Sequence, residues 1–434
     1  CAALSAHAEK LVVGHQMLAM PRYGGATSVE HMREEVRQWK DLGLDGTMLF
    51  DIGNDKFKNY ARGYHQAGVL EGYKFAISTT WFPSSQTGSY ASFLAELAQP
   101  ATRAARIVYK GRPYLSAYHA PGHFQDLVNR LKTTYGMDVY AEPQMFPRQF
   151  NGVPNTQRWE AGRITGMSTA NYNVMMGHPS WTSVQGFAAF EIPNSISGQA
   201  DAISTLWNAT RARGKTARAS VVPYYKGLAH KGNWMVHEGW GYERLKASWK
   251  RAIESGVPAV EIITLNDFGE ASYINSWGKN DPVIMLDHWN KADVPAILDH
   301  SGFRYFSKRY VQWFKSGREP AITRDELYYA YRLHPRDAAD YHSLPQETKD
   351  SLQKWIAPKQ PADWLYRKAA PGILLALERW ALGAWQRTTG VNHSSAIPSS
   401  PQVSTPRPRW PASPSPPPAR SRRSTRDSHP MSST

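Results

Sequence analysis

Residues 11–52 read LVVGHQMLAMPRYGGATSVEHMREEVRQWKDLGLDGTMLFDI, and the fold follows from how this run is parsed. Leu11–Met20 is apolar and of strand length. Thr27-Ser28-Val29-Glu30 has the form of a capping box, in which a hydroxyl and a carboxylate satisfy the first free amides of a helix. Val29, Met32, Val36 and Trp39 then recur at helical spacing, and Gly43 stands where the helix should stop. Thr47–Ile52 is a second apolar strand. The unit is strand, helix, strand.

The same unit recurs to about residue 275. Further strands are expected at Lys74–Trp81, Pro113–His119, Asp138–Glu142, Ile164–Thr169, Ala219–Tyr224 and Ala259–Leu265. Helices are expected near 56–69, 90–99, 124–135, 199–213 and 242–255. The strands lack strict polar alternation, which suits burial on both faces and hence a parallel sheet. Eight such units point to an α/β protein built as a (β/α)8 TIM barrel. A doubly wound sheet is the alternative, but no Gly-rich phosphate turn follows the first strand.

The organisation expected is a linker over 1–10, a catalytic barrel over 11–300 and an extension over 301–365 packed on the barrel. A Pro/Ser/Arg-rich tail over 366–434 is expected to be mostly disordered. Phe303, Tyr305, Phe306, Tyr310, Trp313 and Phe314 make the extension's helix aromatic, and Leu327–Arg332 reads as a strand.

The chain of 434 residues is 41% hydrophobic and carries a net charge of +15. Residues 401–434 hold six Arg against one Asp, so a third of that excess lies in the tail. With no nucleic-acid motif beside it, the charge does not argue for nucleic-acid binding. The single cysteine, Cys1, excludes an intrachain disulfide and a Cys-based zinc site. Cys1-Ala2-Ala3 has the look of a mature bacterial lipoprotein, so membrane attachment through a lipidated Cys1 stands beside an arbitrary fragment start. No run of about 18 apolar residues is present.

In a barrel the chemistry sits at the carboxyl ends of the strands. Those ends supply His15, Asp51, Trp81, His119, Glu142, Tyr224 or Tyr225, Asn266, Asp267, Glu270 and Tyr273. His15 and His119 read more readily as packed core histidines than as ligands, whereas Glu142 reads equally as a buried acid paired with an Arg and Asp51 as a helix cap. Tyr224 and Tyr225 alternate in direction, so one of the two faces the cleft. The set holds no metal motif, no Ser-His-Asp order and no sign of a cofactor. Aromatic faces, amides and two carboxylates suit a sugar cleft, where the carboxylates act as general acid and as base or nucleophile.

The segment Asn266-Asp267-Phe268-Gly269-Glu270, followed by Tyr273-Ile274, resembles the W-N-D-Y-G-E-S-H-Y-I signature of glycoside hydrolase family 71, the α-1,3-glucanases or mutanases. Val12–Met20, Tyr73–Trp81, Gly111–Tyr118 and Phe306–Ala338 resemble further segments of that family. The resemblance implies an endo-acting, metal-independent, inverting hydrolase of α-1,3-glucan, with Asp267 and Glu270 as its catalytic pair. Asn266, Tyr273, Glu142, Asp51, Trp81, Tyr224, His119 and His15 are then candidates for sugar contacts. It also implies a secreted or cell-surface protein whose partner is a polysaccharide. The sequence departs from the signature: Leu265 replaces Trp, Phe268 replaces Tyr, and Ala271-Ser272 replaces Ser-His. Those changes keep open another α-linked glycan, such as an α-mannoside, and a non-catalytic sugar-binding role.

Overall fold

The computed structural model describes residues 10–21, 27–80, 82–118, 121–145, 168–177, 181, 183–189, 196–226, 236–237, 239–268, 270–275, 299–323 and 325–328. Cys1, Trp81, His119 and the tail beyond 328 lie outside them. Eight parallel strands form the centre: β1 (Leu11–Met17), β2 (Gly46–Phe50), β3 (Phe75–Thr79), β4 (Arg112–Tyr118), β5 (Tyr140–Met145), β6 (Gly186–Ala189), β7 (Thr216–Val221) and β8 (Ala259–Ile262). Each pairs with the next, and β8 returns to β1 with Val13 opposite Glu261, so the sheet closes into a (β/α)8 barrel. Val108–Tyr109 adds a short antiparallel strand on β4.

The helices are α1 (Val29–Leu42), α2 (Asp55–Glu71), α3 (Thr87–Glu96), α4 (Pro121–Tyr135), α5 (Thr169–Met176), α6 (Ile196–Arg211), α7 (Glu243–Ser255) and α8 (Ser301–Ser316). In α1 the cap is Ser28, one residue beyond the expected Thr27. Its hydroxyl accepts from the His31 amide, and the His31 ring accepts from the Ser28 amide. Imidazole thus does the work expected of Glu30. Gly43 closes the helix at φ 90°, a conformation that favours glycine.

The sixth strand is not where the sequence placed it. Thr169 opens α5 behind the cap Ser168, and Asn171 and Tyr172 lie in that helix. The strand is Gly186-Phe187-Ala188-Ala189, whose small residues carry little β signal. Their size has a cause: a β-carbon at Gly186 would stand 2.8 Å from Glu142 Oε2 and 2.9 Å from the Tyr140 hydroxyl. The expected strand at 327–332 is not seen at Leu327 and Tyr328, and its remainder lies outside the described residues.

Side chains pack in two shells. Outward residues such as Val12, Leu49, Phe75, Leu115, Ala219 and Val260 meet the helices in the main core. Inward residues Leu11, Val13, Met48, Ala76, Tyr114, Tyr140 and Ala259, with Ile107 and Tyr109, plug the amino end of the barrel. The aromatic helix α8 lies against α1 and α7, where Tyr310 stacks near Trp249 and Lys308 pairs with Asp41 at 2.6 Å. Above the plug the interior turns polar, and the polar layer leads to the site.

Candidate active site

After β8 the chain forms a compact loop over 264–275. The Thr264 amide donates to Ser272 O at 2.9 Å, and the amides of Ile274 and Asn275 donate back to Thr264 O and Leu265 O at 3.1 Å. The peptide between Ile263 and Thr264 is cis, and Ala271 takes φ 52°. Asn266, fully buried, ties the loop to β1. Its amide oxygen accepts from Met17 N at 2.7 Å, and its Nδ2 donates to Met17 O at 2.9 Å and Met20 O at 2.7 Å. The Asn266 bonds thus go to the main chain of the segment after β1.

Asp267 and Glu270 come together on this loop. The Asp267 amide donates to Thr264 Oγ1 at 2.8 Å, and the Glu270 amide donates to Asp267 Oδ1 at 2.9 Å. The two carboxyls lie close enough on this loop for each to shift the proton affinity of the other. Burial and the neighbouring Asp267 charge push Glu270 well above the carboxylate range, while the Tyr225 hydroxyl, donating to Oε1 at 3.0 Å, pulls the other way. Asp267 is pushed up by burial to about 6, opposed by the Glu270 amide and by His15. The titrations belong to the pair, and burial together with the Asp267 charge favours the protonated form at Glu270. Asp267 is 4% exposed, whereas Glu270 is partly open at the barrel mouth.

The tyrosine that reaches this pair is Tyr225. Tyr224, its neighbour in the chain, is half-buried. Tyr273 is buried, stacked on His300 at 3.9 Å and edge-on to Phe268 at 4.9 Å. Asp51 ends β2 at φ 67°, and its carboxylate accepts from the Gly53 amide at 2.7 Å. Phe50 stands 5.0 Å from the His15 ring and 5.1 Å from Tyr118, forming an aromatic wall that the sequence did not flag.

Glu142 and His15 belong to a buried layer beneath. Arg218, with no exposed surface, places Nε 2.9 Å from Glu142 Oε1 and Nη1 3.3 Å from Glu261 Oε2. Its Nη2 donates to Ser116 Oγ at 2.9 Å, and the Tyr114 hydroxyl donates to Glu142. Glu261 also bonds His15 Nδ1 at 2.9 Å and Gln144 Nε2 at 3.0 Å. One guanidinium serves two carboxylates. Burial pushes Glu142 above the usual range despite Arg218. Burial also pushes on Glu261, but Arg218, His15 and Gln144 outweigh it and hold that carboxyl low. Arg218 and Glu261 were missed from the sequence, although an Arg between small residues in TARASV was a usable signal. Among the described residues, no group of three His, Cys, Asp or Glu side chains is placed to hold a metal ion.

The sequence model of Glycosyl hydrolase family 71 matches residues 8–370. A mutanase of Penicillium rubens is 23% identical over 335 residues, covering 76% of this chain and 66% of that protein, just under two thirds of its length. A glucan endo-1,3-α-glucosidase of Schizosaccharomyces pombe is 25% identical over 361 residues, covering 78% of this chain and 75% of that protein. Among solved structures, a GH99 endo-α-mannosidase of Bacteroides thetaiotaomicron aligns at TM-score 0.49 and 12% identity, covering 70% of this chain and 97% of that one.

Proposed function

The chain belongs to glycosyl hydrolase family 71, and from that premise we propose that it is an endo-acting hydrolase of α-1,3-glucan in which Glu270 is the general acid and Asp267 the general base. The observation that carries this reading is the placing of Asp267 and Glu270 on one tight loop after β8, with the Glu270 amide donating to Asp267 Oδ1 at 2.9 Å. Its two carboxyls differ in proton affinity, and such a difference separates an acid from a base at one pH. Glu270 holds the proton and is open to the mouth, where a glycosidic oxygen would sit. Asp267 is fixed from two sides by main-chain geometry and would take a proton from the attacking water.

Inversion requires the two carboxyls to stand roughly 6.5–9.5 Å apart, with water between one of them and the sugar. The Glu270 amide bond to Asp267 Oδ1 at 2.9 Å keeps the two residues on one tight loop. The proposed reaction therefore has the Glu270 side chain swing toward the leaving oxygen as sugar enters, while Asp267 stays clipped to its loop. Phe50 and Tyr118 offer ring faces on which a sugar can stack. We place the enzyme outside the cell or at its surface, where the polymer is.

The test is reducing-end release from insoluble α-1,3-glucan by wild type, Asp267→Asn and Glu270→Gln. Release by wild type, with loss of several orders of magnitude in both folded variants, supports the assignment. Wild-type activity that survives Asp267→Asn overturns it. A second reading, hydrolysis of another α-linked glycan such as an α-mannoside, is favoured by one observation: Leu265 stands where the family signature has Trp and is fully buried over Gly14. Release from an α-mannan but not from α-1,3-glucan would select it.

A further inference from the structure

The loop that carries Asp267 and Glu270 is shaped by its own side chains. Thr264 Oγ1 accepts the Asp267 amide at 2.8 Å, and Asp267 Oδ1 accepts the Glu270 amide at 2.9 Å. Each link runs from a side chain to the amide three residues on, so Thr264 holds position 267 and Asp267 holds position 270. The loop then returns on itself. The Thr264 amide donates to Ser272 O at 2.9 Å, the Ile274 amide donates to Thr264 O at 3.1 Å, and the Thr264 and Ser272 hydroxyls meet at 3.1 Å. Thr264 thus grips both arms of the loop, through its amide, its carbonyl and its hydroxyl.

Thr264 is 1% exposed and Ser272 is fully buried. A buried hydroxyl costs free energy unless it is hydrogen-bonded, and valine has the shape of threonine without that cost. A hydroxyl offers one proton and two acceptor sites. At Thr264 one acceptor site takes the Asp267 amide, and the contact with Ser272 uses the proton or the second site. Valine in its place would fill the same volume and leave the buried Asp267 amide without this acceptor. Downstream, the Glu270 amide on Oδ1 fixes the Asp267 carboxylate and leaves Oδ2 as the oxygen to take a proton.

We propose that Thr264 and Ser272 are positioning residues for Asp267: the hydroxyl of Ser272 orients that of Thr264, Thr264 holds the Asp267 main chain, and the carboxylate is thereby aimed with Oδ2 toward the attacking water. This role rests on Asp267 being the base, as argued above. In that step the water oxygen bonds the anomeric carbon, its proton passes to Asp267, and the Glu270 proton goes to the departing oxygen. Neither hydroxyl is assigned a contact with sugar.

The variants are read on soluble oligosaccharides of whichever linkage the wild type cleaves, well below the melting point of each protein. Because misplacing a reacting group by an ångström costs on the order of 100-fold, Thr264→Val should lose about that factor in kcat with KM changed by about twofold at most. Thr264→Ser keeps the hydroxyl and should return most of the loss. Ser272→Ala should fall less, and the double variant Thr264→Val/Ser272→Ala should fall no further than Thr264→Val alone. A merely structural role would lower the melting point and leave kcat of the folded protein in place. That result, or a Thr264→Ser as slow as Thr264→Val, overturns the proposal. Should Thr264→Val not fold, Thr264→Ala takes its place.

Two further readings separate Asp267 from Glu270. On an aryl glycoside whose phenolate departs without a proton, Glu270→Gln should regain turnover, and Thr264→Val added to it should still cost its full factor. A loss that vanishes there would tie Thr264 to the acid and overturn its assignment to Asp267. A Glu270→Gln that stays inactive on this substrate counts against the acid role alone, and Thr264→Val beside Thr264→Ser still reads the proposal. Amide hydrogen exchange needs no turnover: Thr264→Val should speed exchange at both Asp267 and Glu270, and Thr264→Ser at neither. A Glu270 amide that stays protected in Thr264→Val shows that the carboxylate has kept its place, which overturns the proposal.

Discussion

Gly14 and Leu265 share one space at the seam between β1 and the loop after β8. A β-carbon built on Gly14 would stand 2.6 Å from Leu265 Cδ1 and 2.8 Å from Cγ. The overlap reaches the branch point of the leucine, so a rotamer change alone does not relieve it. Leu265 must move, and it precedes Asp267 by two residues. Gly14→Ala is therefore expected to cost about 1–3 kcal/mol by overpacking. Because misplacing a reacting group by an ångström can cost on the order of 100-fold, kcat should fall by about that factor. Thermal unfolding and kcat on α-1,3-glucan check the two halves, and a stable variant with unchanged kcat would show that the loop tolerates the shift.

Tyr225→Phe tests the acid. The hydroxyl bond to Glu270 Oε1 lowers the proton affinity of that carboxyl. Removing it raises the affinity, so the alkaline limb of the pH profile, set by loss of the acid's proton, should move to higher pH. The acid limb, set by Asp267, should stay. A hydrogen bond to a charged group contributes about 1.5–3 kcal/mol, so a shift of about one unit is expected. Rate profiles of the two enzymes across pH 4 to ~10 measure it.

Arg218→Met should destabilise strongly. It leaves Glu142 and Glu261 buried without their shared cation, and breaking a buried pair costs about 3–5 kcal/mol. The loss should shrink at low pH. Glu261 has a lowered proton affinity in the folded state, so its contribution is present above its unfolded value and fades as pH falls through the folded one. Denaturant titrations of wild type and variant at pH 7 and at about pH 4 give the comparison.

Asn266→Ala removes three hydrogen bonds at once and leaves Met17 N, Met17 O and Met20 O without that partner. Buried groups left unpaired cost about 1–3 kcal/mol each at most sites, and partial rehydration at the loop brings the sum to about 2–4 kcal/mol. Activity should fall with stability. Asn266→Asp keeps the shape and the acceptor but loses two donors, so it should not rescue. Thermal melts beside turnover on glucan decide between these outcomes.

The barrel was readable because its strands are apolar on both faces and separated by amphipathic helices. Leu11–Met17 and Ala259–Ile262 carry that signal in full. Gly186–Ala189 does not: it is four residues long, three of them Gly or Ala, and at Gly186 a side chain would collide with Thr216, Glu142 and Tyr140. The Asp267–Glu270 spacing was readable, and the loop keeps the two residues adjacent, with the Glu270 amide on Asp267 Oδ1. The choice between Tyr224 and Tyr225 was not readable, since alternation says that one faces in but not which. Nor was the Arg218–Glu261 link, because partners on β7 and β8 meet only after the register of Ala259 opposite Arg218 is set.

The clasp formed by Asn266 has a consequence for synthesis on the ribosome. The side chain from one end of the barrel grips Met17 and Met20 at the other, about 250 positions earlier in the chain, and it sits beside Asp267. The acid–base pair is thus assembled by the last strand to emerge and held by the first. A nascent chain stalled before residue 266 lacks both the clasp and the pair, however much of its barrel has already condensed. The loop that bears Asp267 and Glu270 is therefore set only when the ring has shut, at the end of folding.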